Sequence, residues 1–484
     1  MTVVVCSFLF FLAVFVVIGV SSARVRKSTT DDYLLAGRNV PPWLVALSAV
    51  ATNNSGFMFI GMIAYTYRVG IESIWMMIGW VVGDFAAWLL VHPRVRRDSE
   101  RHGIATVPAL LGTSDDGQQR GIIMLGGLMT FVLLGVYASA QLKAGSTALQ
   151  TLFGWQPEVG ATIGAVIVVL YCFSGGIRAS IWTDAAQSFV MILAMATLLI
   201  AASLEVGSPG DVWNNLKEQD AELVRWFPDN LKFGFALYLM GMAFGGFGAI
   251  GQPHILVRFM AIRSVNDMHR ARWIYFLWFI PFFVASIAVG LYARAYMPDL
   301  LSIPLTAGMT ESQATELAMP EMARRLLPDV LIGLTLAGLF SATMSTADSQ
   351  ILVCSSAITQ DINPNWKNSY IAAKLATLAV TGLALIIAVF AGQGVFSLVL
   401  IAWSALGAGF GPALLLRLLG VPLSSLTITL MMTAGVGTVV AWNTIGYDGD
   451  VFKLLPGMVA SFLMWPVGAM VQRLCSRKDL PERE

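Results

Sequence analysis

Charge is scarce in this sequence. Only 12% of the 484 residues are Asp, Glu, Lys or Arg, against 57% hydrophobic residues, where a soluble domain carries about 25% charged residues. A polytopic, all-α membrane protein is therefore expected. Thirty basic residues nearly balance 29 acidic ones, for a net charge of +1, and no basic tract is long enough to suggest nucleic acid as a partner. Cysteine is equally sparse: Cys6, Cys172, Cys354 and Cys475 are scattered in or beside apolar segments. Their spacing fits neither a metal site nor a disulfide framework, and packed thiols are expected. The four histidines, His92, His102, His254 and His269, fall near the ends of apolar runs, where loop chemistry is expected. An enzyme acting within the bilayer would need convergent His, Asp or Cys, and no such cluster is present.

Long apolar runs are what the chain has instead. A spanning helix needs about 20 mostly apolar residues. Thirteen runs qualify, at about 3–21, 42–65, 72–92, 121–143, 157–175, 183–203, 233–254, 272–294, 330–352, 370–391, 394–417, 423–442 and 455–473. The first could pass for a signal peptide, but its charges follow the apolar stretch instead of preceding it. It reads as a retained helix with its N-terminus outside. Basic residues set orientation. Arg24, Arg26, Lys27 and Arg38 follow the first run, and Arg94, Arg96, Arg97, Arg101 and Arg120 follow the third. Arg258, Arg263, Arg270 and Arg272 follow the seventh, and Arg473, Arg477, Lys478 and Arg483 form the tail. With thirteen spans all of these lie on one side, so a cytoplasmic C-terminus in an inner or plasma membrane is expected.

Two runs are interrupted. The second carries Thr52, Asn53, Asn54, Ser55 and Gly56 at its middle; the seventh carries four glycines and then Gln252-Pro253. Backbone that leaves the helix at membrane depth is tolerated only where it lines a cavity or is buried in protein. The breaks lie five runs apart, so each would open a five-helix unit, and interrupted segments at matching positions of two halves point to a transporter site between inverted repeats. The expected division is 1–41 (extra helix and loop), 42–205 (repeat 1), 206–418 (repeat 2) and 419–484 (two further helices and a short tail). Unrelated glycine-rich packing faces are the alternative.

The stretch "SATMSTADSQ" at 341–350 places hydroxyls and a carboxylate in an apolar helix. Residues three and four apart share a helix face, so the carbonyl of Ala342 and the hydroxyls of Ser345 and Thr346 point the same way. Neutral oxygens suit a small monovalent cation, sodium above all, since divalent ions normally recruit carboxylates. Hydroxyls that bond back to the preceding turn are the rival reading. In "ATNNSG", Ala51 and Asn54 are three apart and offer two more carbonyls where the helix unwinds, unless the segment is only a kink. Asp184 is an intramembrane carboxylate, functional by default, with an N-cap or a pair with Arg178 as the alternative. Asp84 and Asp348 rank below it. Tyr137 and Gln141, one turn apart, face either the repeat interface or a helix neighbour.

"DDYLLAGRNVPPWLVALSA", "SGGIRASIWTDAAQSFVM", "GQPHILVRFMA" and "ATMSTADSQILVCSSAITQDI" together resemble the sodium/solute symporter family, most closely its sodium–proline branch, over about residues 1–475. The resemblance implies a leucine-transporter-type core of two inverted five-helix repeats, each opened by a broken helix. It implies a sodium ion on the carbonyls of Ala51, Asn54 and Ala342 and the hydroxyls of Ser345 and Thr346. It also implies coupling or release roles for Asn53, Asp184 and Arg38, and a solute near Ser55, Gly56, Gly248 and Gln252, facing Tyr137 and Gln141. Three positions depart from the proline carriers, which place Asp at Asn53 and aromatic residues at Gly245 and Ala249. The missing rings are expected to enlarge or reshape the pocket, for a solute larger than proline or for one that supplies its own apolar group.

The expected function is sodium-coupled symport of a small organic solute by alternating access, with an amino acid such as proline first and a monocarboxylate or other small metabolite as the alternative. A channel would be favoured by a dead sodium site. A transporter-like sensor would carry a long soluble domain, where only about ten residues follow the last run. Besides sodium, the partners expected are the solute and the lipid bilayer.

Overall fold

In hydrocarbon a backbone satisfies its own N–H and C=O groups only as a helix or a closed barrel, and the long apolar runs here are helical. The computed structural model describes residues 2–25, 29–115, 117–367, 369–390 and 395–478. Arg26, Lys27 and Arg483 lie outside the described residues, as do the ends of the tenth and eleventh runs at 391 and 394, and the side chains of Arg473, Cys475, Arg477 and Lys478. The main helices are α1 (Thr2–Ser21), α2 (Pro42–Gly56), α3 (Met62–Val69), α4 (Ile74–Leu90), α5 (Arg120–Phe153), α6 (Pro157–Val206) and α7 (Gly234–Phe247). They continue with α8 (Pro253–Ala261), α9 (Met268–Tyr296), α10 (Asp329–Ser356), α11 (Tyr370–Phe390), α12 (Val395–Leu418), α13 (Ser425–Ile445) and α14 (Leu454–Lys478). Among the described residues, eleven helical stretches are long and apolar enough to cross a membrane.

Two of these stretches exceed one crossing. Glu158–Val206 counts 49 residues, and a hydrocarbon core of about 30 Å needs only about 20. Its helix is interrupted at Gly176, where φ is 58° and ψ is −143°. Glycine alone adopts such a conformation freely, and a Cβ there would lie 2.4 Å from the carbonyl oxygen of Tyr33. The other, Pro42–Arg101, counts 60 residues. It contains α2, α3 and α4 and is broken at Ser55 and again at Gly70.

The core is built around α10, in which every residue from Ile332 to Ser356 is buried. A helix buried on all sides is normally apolar all round; this one carries Ser341, Thr343, Ser345, Thr346, Asp348, Ser349 and Gln350. It packs against α6, α5, α2 and α1. By contrast α1 is buried along one stripe, Val4, Phe8, Leu12, Phe15 and Gly19, at the spacing of a peripheral helix.

Three expectations are corrected by burial. Arg258 is not a loop residue: it lies within α8 and is fully buried. His92 and His254 are also fully buried, His92 stacked 4.2 Å from the Phe259 ring and His254 edge-on to Tyr137 at 5.6 Å. In each case a helix continues past the point where apolar character fades, because a partner helix covers the polar residue. Finally, Cys172 and Cys354 are packed thiols, whereas Cys6 is exposed on the outer face of α1.

Candidate ion and solute site

The middle of α2 meets α10. Ser55 takes φ 50° and ψ −177°, a conformation that costs a non-glycine residue about 1–3 kcal/mol and clusters at functional sites. Ser55 Oγ accepts from the N–H of Phe57 at 3.0 Å, and Gln141 Oε1 accepts from the N–H of Gly56 at 2.9 Å. A Cβ on Gly56 would come within 2.7 Å of Thr343 Cγ2, so only glycine lets this strained turn seat against α10.

Directly before the break, carbonyls of α2 turn toward the hydroxyls of α10. Ser345 Oγ lies 3.2 Å from the carbonyl oxygen of Ala51 and 3.2 Å from that of Ala342. Thr346 Oγ1 lies 2.9 Å from the carbonyl oxygen of Thr52 and 3.1 Å from that of Ala342. The bonds to Ala342 are the back-bonding expected of helical hydroxyls; the bonds to Ala51 and Thr52 cross to another helix. Five neutral oxygens converge, and they belong to four of the five residues named from sequence plus Thr52. The Asn54 carbonyl is turned elsewhere and accepts from the N–H of Phe57, while the Asn54 amide donates to the Val50 carbonyl at 2.6 Å. Thr52 escaped notice because the torsion at Ser55, not residue type, decides which carbonyl faces α10.

On the solute side, Gln141 of α5 faces the α2 break through the Gly56 N–H, and Tyr137, one turn earlier on α5, lies edge-on to His254 of α8 at 5.6 Å. The second break is a turn at Gly248–Gly251 followed by extended Gln252, with Pro253 opening α8, where a missing N–H costs nothing. The Gln252 amide donates to the carbonyls of Gly248 (3.2 Å) and Trp403 (2.9 Å). A stack of rings joins the two breaks: Phe57 on Trp80 at 5.8 Å and Trp80 on Trp403 at 5.5 Å.

Comparison with known proteins shows the family and the fold. Residues 33–421 fit the family model described as "Sodium:solute symporter family". The chain belongs to this family. It is 31% identical to the sodium/proline symporter of Escherichia coli over 99% of this chain and 93% of that one. It is 30% identical to the high-affinity proline transporter PutP of Bacillus subtilis over 91% and 92%. A Na+-coupled sialic acid symporter in a substrate-bound, outward-open state shares the fold, with a TM-score of 0.78 at 19% identity and 97% of each chain covered.

Within this symporter the departures from the proline carriers have visible consequences. No room is left beside Gly245: a Cβ there would meet Trp80 Nε1 at 2.5 Å, and Trp403 Nε1 donates to the Gly245 carbonyl at 2.9 Å. The expected enlargement is corrected, because α4 supplies a ring where α7 lacks one. Ala249 is buried as well. Asn53 donates to the hydroxyl of Tyr275, which donates to Asp84 Oδ2 at 2.6 Å. A carboxylate absent at residue 53 thus stands one side chain away.

Asp184 neither caps a helix nor pairs with Arg178, which binds Asp32 Oδ1 at 2.5 Å instead. Ser48 donates to Asp184 Oδ2 at 2.6 Å, and Arg258 Nη2 lies 3.3 Å from the same oxygen. Arg38 sits apart from both sites. It donates to Ser99 Oγ (3.1 Å) and to the carbonyls of Ile104 (2.6 Å) and Met260 (3.4 Å). Beside it Val40 pairs with Ile262, so the segment after α1 is clamped over the end of α8.

Proposed function

We propose that this symporter imports an amino acid of the proline type together with sodium by alternating access. The observation that carries the ion assignment is the convergence of Ala51, Thr52, Ala342, Ser345 and Thr346 oxygens across the α2 break. Sodium among them would tie α2 to α10 in place of the hydroxyl–carbonyl bonds. Asn54 would join only after a rotation about the Ser55 torsions. A membrane potential of about 100 mV adds roughly 2.3 kcal/mol per imported charge to the sodium gradient.

The solute class follows from polar atoms without partners. Among the described residues, the buried polar atoms with no hydrogen bond include Gln141 Nε2, Trp80 Nε1 and Gln252 Oε1. Two are donors, suited to a carboxylate; one is an acceptor, suited to an ammonium or iminium N–H. Leaving them unmade costs roughly 1–3 kcal/mol each, which a zwitterionic ligand would recover. The acceptor favours an amino acid over a monocarboxylate, and the relatives named for proline support the same class.

We further infer thirteen crossings, with Pro42–Arg101 and Glu158–Val206 crossing twice each, in two inverted five-helix repeats at 42–205 and 206–418. One extra helix precedes them and two follow. The N-terminus is outside and the C-terminus cytoplasmic, which puts the Arg38 clamp on the cytoplasmic side. The test is competition against labelled proline in proteoliposomes. Proline and close analogues should compete and monocarboxylates should not; competition by lactate or acetate as strong as that of proline would overturn the solute assignment.

A further inference from the structure

Where α4 ends and α9 begins, the surface holds an open cavity of about 300 Å³. Trp88 and Pro93 line it from one side, and Asn266, Met268, His269 and Arg272 from the other. That volume is at the lower end of ligand clefts, about 300–1,000 Å³.

The lining carries a positive charge and no acid. Arg272 lays its guanidinium between two rings, with Cζ 5.5 Å from the centre of Phe85 and 5.6 Å from that of Trp273, within the range of a cation held on an aromatic face. Its Nε is buried without a hydrogen bond, and among the described residues no carboxylate pairs with it. The acids that flank the lining in sequence are engaged elsewhere. Asp267 accepts from Arg263 at 3.0 Å and from Ser264 at 2.9 Å, and Asp84 accepts from Tyr275 at 2.6 Å. Trp273 Nε1 donates to His269 Nε2 at 3.1 Å, so the neutral His269 ring carries its proton on Nδ1 and adds a second donor at the cavity.

The rim is apolar and exposed. Leu89 and Leu90 stand out from α4, and Trp273, Leu277, Ile280 and Val284 from α9. The last four recur at intervals of three and four residues, so they form one helix face. A tryptophan and basic residues at the end of such a face mark the membrane–water interface, where basic pockets between helices take anionic headgroups. A headgroup on Arg272 would leave its acyl chains against Leu277 and Leu90. A free phosphate ion would use the arginine and none of that apolar face.

We propose that this cavity binds the phosphodiester of an anionic phospholipid, in the leaflet on the side of the Arg38 clamp, with Arg272 and His269 as the headgroup donors. Other basic residues nearby do different work. Arg270 is exposed and outside the lining. Arg96 is buried and holds the loop after α8 through the Ile262 carbonyl at 2.7 Å. Asn266 belongs to that loop, so a bound headgroup would brace it against the turn after α4. The inference is independent of the ion and solute assignments.

The experiment is native mass spectrometry of the full chain in detergent, titrated with phosphatidylglycerol or with phosphatidylcholine of the same acyl chains. Wild type should bind one phosphatidylglycerol about tenfold more tightly than phosphatidylcholine. Arg272→Gln should bring that preference below about twofold, and Arg270→Gln should leave it unchanged. Should Arg272→Gln fail to fold, Asn266→Trp carries the test: at an exposed position, the added indole fills the cavity without altering charge and should abolish the preference equally. Inorganic phosphate in large excess should not displace the lipid. Equal affinity for the two lipids in wild type, or a preference that survives Arg272→Gln or Asn266→Trp, overturns the proposal. So does an equal loss in Arg270→Gln, which would mark diffuse surface charge. Displacement by inorganic phosphate would make this a site for a free anion and overturn the lipid assignment.

Discussion

Ser345 Oγ and the carbonyl oxygen of Ala51 lie 3.2 Å apart across 294 residues of sequence. That contact joins the broken helix α2 to the buried helix α10, and it is one edge of the oxygen set assigned to sodium. Ser345→Ala and Thr346→Ala should each raise the sodium concentration for half-maximal uptake by about tenfold, since each loses one ligand worth about 1.4 kcal/mol. Solute affinity at saturating sodium should change far less. Sodium titrations of uptake decide this, and wild-type sodium dependence in both variants would place the ion elsewhere.

The packing of Trp80 against Gly245 gives a swap test. Gly245→Trp should lower folded yield sharply, because its ring meets Trp80 at once, and overpacking of a tight core typically costs about 1–3 kcal/mol or more. The double variant Gly245→Trp/Trp80→Gly exchanges which helix supplies the ring and should recover yield by size-exclusion chromatography. Equal yields for single and double variants would show that the two positions do not share this space.

Gln252 separates amino acid from acid. Gln252→Leu removes the buried acceptor assigned to the solute nitrogen together with two structural bonds, whereas Gln252→Glu keeps an acceptor. Uptake of labelled proline should fall at least about tenfold in the first and be partly retained in the second. If both lose proline uptake equally at normal expression, the acceptor has no role in recognition.

The Arg38 clamp should control access and leave the ion site alone. Arg38→Ala frees Ser99 and the carbonyls of Ile104 and Met260, so a cysteine placed at Val40 should label faster from the side that the clamp closes. The sodium concentration for half-maximal uptake should stay within about twofold, a shift of about 0.4 kcal/mol. Unchanged labelling would mean that the clamp does not gate.

Much of this architecture was legible in the sequence because its local rules are strong. The apolar runs mark the helices, and "TNNSG" and "GGFGAIGQP" mark the breaks. The spacing of Ala342, Ser345 and Thr346 places three oxygens on one face. What was not legible depends on torsion and on distant packing. The Thr52 carbonyl, not that of Asn54, accepts from Thr346 because the helix breaks at one residue, Ser55. Arg258 reads as one of several basic residues after an apolar run, and nothing near it in sequence announces Asp184 or Asp348, with which it pairs at 3.3 and 3.9 Å. The ring beside Gly245 comes from Trp80, more than 160 residues earlier in the sequence, and nothing near either residue announces the other.

The most direct measurement is uptake of labelled proline into proteoliposomes under an inward sodium gradient, compared with choline in its place and with the pH gradient collapsed. Sodium coupling predicts accumulation above the external concentration with sodium, enhanced by an inside-negative potential, and only equilibration with choline. Accumulation that persists in choline without a pH gradient would contradict the assignment of these oxygens to a driving ion.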